Sequence, residues 1–267
     1  MYSIITINYN NAMGLEHTFR SVFSQSCHNY EYIVIDGGST DSSLDVIKRY
    51  ADKITYWVSE MDRGIYHAMN KGVVQAHGEY CLFMNSGDCF YDEYVLERIE
   101  ALKCKEEIFV GKVVAGKDEV LMSPPPKRDV SLYHLYSGAI PHQGAFIHTD
   151  LLRKFPYDES LKISADWKFF VQAIIFENCS FRYVEENVSR YDTEGISSSN
   201  PKLMWMEKEQ VLRDFFPSRL LSDYQYMKAS ECQTQMLAPQ LRVNYGIDKI
   251  LYRIGKFLLK CRRKING

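Results

Sequence analysis

Residues 30–41 read YEYIVIDGGSTD, and they join an apolar, β-branched run to a polar turn. The run is typical of a buried strand, and the two glycines that follow Asp36 indicate where this strand ends. Thr40 or Asp41 is then suited to begin a helix, because both side chains can accept hydrogen bonds from the free N–H groups of a first helical turn. A buried strand followed at once by a helix is the repeating unit of parallel α/β sheets.

The same alternation of strands and helices extends over the first hundred residues. Strand-type segments lie at 3–8, 30–36, 54–59 and 80–84, and segments with helical periodicity separate them. Helical crossovers of this kind connect parallel strands and cover both faces of the sheet. We therefore predict an α/β fold with a mostly parallel central sheet flanked by helices, Rossmann-like in its N-terminal half.

The pattern changes twice further along the chain. Residues 101–199 mix strands and helices less regularly, with a last strand predicted at 180–185, whereas residues 200–267 read as helix. We therefore predict one domain with two halves, residues 1–100 and 101–199, and a helical C-terminal extension over residues 200–267.

Composition excludes several classes of protein. The chain has 267 residues, is 46% hydrophobic and carries a net charge of −2, so it can form a packed core and is not suited as a whole to bind nucleic acid. Its seven cysteines include no Cys-x-x-Cys pair, which indicates reduced thiols. We find no signal peptide at the N-terminus and no apolar run of the ~18 residues that a membrane span needs. A cytoplasmic protein is expected.

The C-terminal segment is strongly basic. Residues 242–267 contain eight basic side chains and a single acid, and residues 247–265 place their apolar side chains on one face of a helix. This pattern fits a helix that lies at the inner face of an anionic membrane. It equally fits a helix that packs on the acidic remainder of the chain or forms a homo-oligomer.

Polar side chains cluster where the predicted parallel strands end. They are Asn8, Tyr9 and Asn10 after the first strand, Asp36 at the end of the second, Glu60, Asp62 and Arg63 after the third, and Asn85 and Asp88 after the fourth. The carboxyl ends of parallel strands meet at one edge, where ligands bind. The glycine-rich loops of P-loop ATPases and dinucleotide oxidoreductases are absent from the sequence, so a phosphate here would need a divalent cation on oxygen ligands such as Asp88.

Five motifs resemble, in order and spacing, those of the family-two glycosyltransferases. They are TINYN (6–10), YIVIDGGSTD (32–41), DRGIYHAMNKG (62–72), GEY (78–80) and LFMNSGD (82–88). The resemblance is close over residues 1–100 and looser up to about residue 195. It implies a GT-A fold and transfer of a sugar from a nucleotide diphosphate donor with inversion at the anomeric carbon. Residues 1–100 would bind the nucleotide sugar, and residues 101–199 would shape the donor-sugar and acceptor pocket.

The resemblance also implies roles for residues that contact the donor. Thr6, Asn8 and Tyr9 would flank the nucleoside, and Asp36 would accept a hydrogen bond from its base. Independently of the resemblance, Arg63 would help to stabilise the leaving diphosphate, or would be a solvated arginine paired with Glu60 or Asp62.

The metal motif departs from the commoner acidic version of the family. Asp88 would bind Mn²⁺ or Mg²⁺ bridging the diphosphate, and Asn85 would face the ribose or the waters of the metal. Because Asn85 and Gly87 replace acids, one carboxylate remains, and metal binding without nucleotide should be weak.

The general base is predicted in residues 164–170, which read SADWKFF. Family members carry an acidic pair or a single Asp before such a helix, and here Asp166 matches while Ala165 replaces the first acid. The alternative is that Asp166 only caps the helix. The resemblance further favours His142 and Gln143 as site residues, either as hydrogen-bond donors or with His142 near the metal, although a lone histidine is often structural.

These motifs together predict a metal-dependent inverting glycosyltransferase. The donor would be a nucleotide sugar, first of all a UDP-sugar, and the acceptor a glycan or lipid-linked hydroxyl in cell-surface polysaccharide synthesis. A sugar nucleotidyltransferase is an alternative, but residues 8–12 are not the glycine- and arginine-rich loop that it needs. A non-catalytic sugar-nucleotide or polysaccharide-binding protein is another. The enzyme prediction requires Asp88 and Asp166 to converge on one cleft.

Overall fold

The computed structural model describes residues 1–116, 118–123, 129–192 and 200–230. The chain divides into two compact units, Met1–Asp214 and Phe215–Gly267. In the second unit residues 218–230 are helical. The predicted amphipathic helix at 247–265 lies outside the described residues. None of the helices within the described ranges has the length and apolar character that a bilayer crossing requires.

The elements alternate in the predicted way through the first hundred residues. The strands are β1 (Tyr2–Asn8), β2 (Tyr30–Asp36), β3 (Tyr56–Ser59), β4 (Tyr80–Phe83), β5 (Cys89–Phe90), β6 (Ile108–Ala115), β7 (Val120–Met122), β8 (Ala145–His148) and β9 (Phe181–Tyr191). The helices around them are α1 (Ala12–Phe23), α2 (Ser43–Arg49), α3 (Ile65–Gln75), α4 (Val95–Ala101), α5 (Leu132–Ser137), α6 (Thr149–Lys154), α7 (Ala165–Phe170) and α8 (Pro201–Phe215). α7 continues as a π-helix over Val171–Phe176.

One sheet combines a parallel and a mixed half. Its strand order is β3-β2-β1-β4-β8-β6-β9-β5, with β7 also paired to β6. The first four strands are parallel, β8 is antiparallel to both of its neighbours, and β6 and β9 are again parallel. The α/β class and the parallel N-terminal half agree with the prediction, while antiparallel pairing of β8 makes the whole sheet mixed.

A single core joins the two halves of the sheet. Phe146 on β8 stacks on Phe109 of β6 with ring centroids 4.8 Å apart, and it meets Tyr2 of β1 edge-on at 5.5 Å. Every residue of β1 is buried, because helices cover both faces of the parallel half. The parallel strands are therefore held by a core that is shared with the mixed half of the sheet.

Strand register brings the polar strand ends together. Asn8 of β1 lies opposite Asp36 of β2, and Asp36 lies opposite Ser59 of β3. Asp41 precedes the α2 N-cap by one residue, yet its carboxylate accepts hydrogen bonds from the N–H groups of Ser43 at 2.9 Å and Ala12 at 3.0 Å. It therefore ties the starts of α1 and α2 to each other.

β9 is longer than the sequence predicted. The polar residues after position 185 break the apolar pattern, but the strand continues to Tyr191 by pairing with β6 through an irregular register. Because of this extension, Asp192 lies beside Asp88 in the loop that follows β4.

Candidate active site

A cavity of about 640 Å³ lies beside the loop that follows β4. Asp88 from that loop and Asp166 from the first turn of α7 both line it. Other lining residues come from the start of α3, the segment before β8, the end of β9 and α8. Elements from the whole first unit therefore contribute to one cleft, and the two acids share it.

Three segments hold the carboxylate of Asp166. Its Oδ2 lies 2.9 Å from His142 Nδ1, and its Oδ1 accepts hydrogen bonds from the Tyr66 hydroxyl at 3.0 Å and from the Trp167 N–H at 2.8 Å. Burial would raise the pKa of Asp166, but the hydrogen bond and charge of His142 hold it below its usual value. α7 is capped at Ser164, so Asp166 is not its N-cap residue.

His142 connects Asp166 to the loop that follows β4. Because a carboxylate only accepts, His142 Nδ1 donates to Asp166, and Nε2 lies 3.2 Å from Asn85 Nδ2. Burial would lower the pKa of His142, but the hydrogen bond and charge of Asp166, together with the charge of Asp88, raise it. Asn85 Oδ1 remains buried and has no hydrogen-bond partner among the described residues.

Asp88 is a buried carboxylate, only 3% exposed. Its Oδ1 accepts a hydrogen bond from the Asp192 N–H at 2.9 Å, and the Gln143 side chain also hydrogen-bonds to it. Burial raises the pKa of Asp88 to about 6, in spite of the lowering effect of these donors and of His142. A carboxylate that is poorly stabilised by its surroundings is suited to bind a cation.

These groups fit a hard divalent cation. Asp88 and the unpartnered Asn85 Oδ1 provide oxygen donors, which Mn²⁺ and Mg²⁺ prefer. Within the described part of the chain no three His, Cys, Asp or Glu side chains form a metal-binding group. Oxygens of a bound diphosphate would have to complete the coordination shell, in line with the weak nucleotide-free binding expected from the sequence.

Thr18 of α1 positions the loop that carries Asp88. Its hydroxyl donates to the Asp88 carbonyl at 2.7 Å and accepts a hydrogen bond from the Gly87 N–H at 3.0 Å. Gly87 has a φ of +106°, which favours glycine. The turn is therefore fixed by a helix more than sixty residues earlier in the chain.

Asp36 is fully buried and organises the ends of three strands. Its two oxygens accept hydrogen bonds from Asn8 Nδ2 at 2.7 Å, from the Ser39 N–H at 3.0 Å, and from the hydroxyls of Ser39 and Ser59 at 2.6 Å each. Burial alone would raise the pKa of Asp36, but these donors lower it. Each oxygen already accepts two hydrogen bonds, so contact with a base, as the resemblance implies, requires one of these four donors to be displaced.

The other two predicted nucleoside residues, Thr6 and Tyr9, differ in exposure. The Thr6 side chain is fully buried, and its hydroxyl donates to the Met84 carbonyl at 2.7 Å, so its contacts lie within the sheet. Tyr9 is 67% exposed, and its ring lies beside Gly37, where it is free to contact a nucleoside.

Arg63 lies outside the cavity lining. Its side chain is 73% exposed and pairs with Glu159 at 2.6 Å. The acids that the sequence offered as its partners, Glu60 and Asp62, both bind Lys71. The salt bridge from Arg63 thus connects the loop after β3 with the loop before α7.

Comparison with known proteins identifies the family. Residues 3–165 match the model described as glycosyl transferase family 2. The chain belongs to this family. A Mycobacterium tuberculosis protein named as an uncharacterized glycosyltransferase is 34% identical over 207 residues, which cover 73% of this chain and 76% of the relative. A PGL/p-HBAD biosynthesis glycosyltransferase of Mycobacterium bovis is 30% identical over 203 residues, which cover 73% and 78%.

Solved structures show the same fold. S. aureus TarS 1–349 in complex with UDP-GlcNAc matches with a TM-score of 0.64 and 20% identity over 79% of this chain and 65% of that one. The mannosyltransferase PcManGT from Pyrobaculum calidifontis, in complex with GDP-Man and Mn²⁺, matches with a TM-score of 0.54 and 20% identity over 71% and 56%. This family 2 glycosyltransferase spans less than two thirds of either structure. The predicted GT-A fold is confirmed.

The candidate site contains residues that the sequence analysis missed. Tyr66 lies within the motif DRGIYHAMNKG but was not singled out, and Thr18 lies on an ordinary helical face. Asp192 directly precedes a segment without a recognisable motif. Glu207 on α8, which accepts hydrogen bonds from the N–H groups just before α7, lies in another such segment. A polar side chain on the buried face of a helix, as at Thr18, was the one signal available from sequence.

Proposed function

We propose that this glycosyltransferase transfers a sugar from a nucleoside diphosphate to an acceptor hydroxyl with inversion, using Asp166 as general base. The observation that supports this most is the shared cavity of Asp88 and Asp166, spanned by His142 and Asn85. An inverting transfer needs a base on one side of the anomeric carbon and stabilisation of the leaving diphosphate on the other.

The hydrogen bonds around Asp166 orient its carboxylate toward an acceptor hydroxyl. The Tyr66 hydroxyl and the Trp167 N–H hold Oδ1, and His142 orients Oδ2, so one acceptor position of Oδ2 remains for an acceptor hydroxyl. The hydroxyl proton moves to Asp166 while the oxygen forms the new bond to the anomeric carbon. The bond from that carbon to the diphosphate breaks, and its electron pair leaves with the diphosphate.

Asp88 and Asn85 would hold Mn²⁺ or Mg²⁺ on the donor side of the cavity. When bound, the cation would stabilise the negative charge that develops on the diphosphate. The burial of the Asp88 carboxylate supports this assignment, because a buried negative charge is stabilised by a bound cation. The Mn²⁺ in the PcManGT complex also supports it. Gln143 would keep Asp88 oriented through its hydrogen bond.

The donor and acceptor are proposed by class. We propose a UDP-sugar as the first donor to test. Because the matching complexes contain UDP-GlcNAc and GDP-Man, both uridine and guanosine sugar nucleotides should be tested as donors. A glycan or lipid-linked acceptor in cell-surface polysaccharide synthesis agrees with the PGL/p-HBAD biosynthesis relative. We place the reaction in the cytoplasm, at the inner face of the membrane when residues 247–265 bind it, with self-association as the alternative use of that segment.

Substitution of the two acids tests this function. Asp166→Asn should keep donor binding and lower the transfer rate by at least about 100-fold, because an amide cannot take the proton. Asp88→Ala should weaken the thermal stabilisation by nucleotide sugar plus Mn²⁺. Asp150→Asn is the control, because the Asp150 carboxylate is exposed and lies near the start of β4, at the opposite end of this strand from Asp88. Full transfer by Asp166→Asn would remove the assignment.

A further inference from the structure

The loop after β4 has Gly87 where the commoner family motif has an acid. At Gly87 an added Cβ would lie 2.3 Å from Asp192 Oδ2 and 3.1 Å from the Cβ and Cγ of Asp192. The carboxylate of Asp192 therefore occupies the volume that a side chain at position 87 would fill. Asp192, which follows β9, therefore places a carboxylate where an acid at position 87, after β4, would lie.

The backbone holds Asp192 beside Asp88. The Asp192 N–H donates to Asp88 Oδ1 at 2.9 Å, and both residues line the cavity. Just before this contact, β9 pairs with β5, with Arg190 opposite Cys89. The two residues that follow Asp88 and the two that precede Tyr191 are thus locked in one antiparallel ladder, so the position of Asp192 relative to Asp88 is set by the sheet.

Charge and unsatisfied polar groups at this point favour a cation. Asp88 is only 3% exposed and lines the same cavity as Asp192, so two acidic residues lie at one point of the cleft. The buried Asn85 Oδ1 has no donor among the described residues, which is an independent sign of a missing positive ligand. A divalent cation here would give the buried carboxylate of Asp88 and the Asn85 Oδ1 a positive partner.

We propose that Asp192 provides the second carboxylate of the cation and diphosphate site, in the place of the acid absent at position 87. The inference rests on the proposed function. Two carboxylates, one amide oxygen and the oxygens of a diphosphate make up the all-oxygen environment that Mn²⁺ and Mg²⁺ take in such sites.

Mn²⁺ binding in the presence of UDP or GDP, followed by the electron paramagnetic resonance of free Mn²⁺, tests the proposal in the full chain. Asp192→Asn keeps the backbone N–H to Asp88 and removes only the charge. We expect it to raise the Kd for Mn²⁺ by at least about tenfold, as Asp88→Asn should, while Asp150→Asn leaves it unchanged. Unchanged Mn²⁺ binding by Asp192→Asn, or no Mn²⁺ binding by the wild type, would overturn the proposal.

Asp192→Cys separates ligation from a structural role. A thiolate prefers soft metals, so this variant should lose Mn²⁺ binding and gain binding of Cd²⁺ over the wild-type background. A side chain that only shapes the loop would show no such exchange of metal preference. If Asp166→Asn abolishes transfer while both Asp192 variants bind Mn²⁺ normally, the proposed function stands and this inference fails. Wild-type protein that neither binds nucleotide sugar nor transfers sugar would refute the proposed function itself.

Discussion

Thr18 lies in the middle of α1, yet its hydroxyl group fixes the turn that carries Asp88. Thr18→Val keeps the shape of the side chain and leaves the Gly87 N–H and the Asp88 carbonyl without their partner. We expect a loss of about 1–3 kcal/mol in the free energy of unfolding, and weaker stabilisation by nucleotide sugar with Mn²⁺. Urea denaturation and thermal shift measure the two effects.

Thr18→Ser is the matched control for this prediction, since it retains the hydroxyl. It should bind the nucleotide sugar like the wild type. Equal behaviour of the Val and Ser variants would show that the hydrogen bonds from α1 do not position Asp88.

Asp158 provides a pH-dependent contribution to stability. Burial would raise its pKa, but the Lys168 ammonium at 2.6 Å and two donors from Ser160 lower it to about 2. The lowered pKa means that the stabilisation is complete above the unfolded-state pKa of 3.8 and is lost as the pH falls from there towards 2.

Comparison of the wild type with Asp158→Asn measures this contribution. At pH 7 the variant should be less stable by about 1–2 kcal/mol, after allowance for partial exposure of the pair, and the difference should shrink below pH 4. Urea denaturation over a pH series gives the result. A difference that does not change with pH would mean that the ion pair is not its cause.

At the scale of elements, α8 holds α7 in place. Glu207 on α8 accepts hydrogen bonds from the N–H groups of Lys162 at 2.7 Å, and of Ile163 and Ser164 at 3.0 Å. These residues directly precede α7, which presents Asp166. The sequence analysis placed residues 200–267 in a C-terminal extension. Residues 201–214 of α8 belong to the first unit, and Met204 and Lys208 line the cavity.

Glu207→Gln removes the negative charge that three N–H groups share. We expect a loss of about 2 kcal/mol in the free energy of unfolding. We also expect a lower kcat with little change in donor binding, because Asp166 would move while the loop that carries Asn85 and Asp88 would not. Steady-state kinetics and urea denaturation measure both. Glu209→Gln on the same helix, where the side chain is 59% exposed, is the control and should leave both quantities unchanged. Identical kinetics for the two variants would contradict this role of α8.

At the scale of the whole molecule, charge is divided between the body and the C-terminal segment. The eight basic residues after position 241 contrast with the acidic remainder of the chain. If residues 247–265 form the proposed interfacial helix, the full chain should cosediment with anionic vesicles, and binding should weaken as salt screens the attraction. A chain ending at Tyr245 should stay in the supernatant.

Vesicles of neutral lipid are the control for the tail. Equal binding of the full and shortened chains to anionic vesicles would exclude this segment as the contact. Concentration-dependent self-association that is lost in the shortened chain would support the alternative use of the same face.

Periodicity and motif order in the sequence were sufficient to predict the α/β class, the parallel strands, and the placement of Asp36, Asn85 and Asp88 at strand ends. These are local properties, because a strand or a turn leaves its pattern within a few residues. The family resemblance added Asp166 and His142, with roles that remain predictions.

Only the tertiary structure decided which side chains meet. Tyr66 and Asp166 are 100 residues apart in sequence, and Asp88 and Asp192 are 104 apart. The hydroxyl of Thr6, a predicted nucleoside residue, bonds to the Met84 carbonyl inside the sheet. Asp192 carried no motif, yet its carboxylate lies where a side chain at position 87 would extend. Hydrogen bonds and charge pairs between distant segments depend on how helices and strands pack, and that packing leaves no periodic trace at either partner.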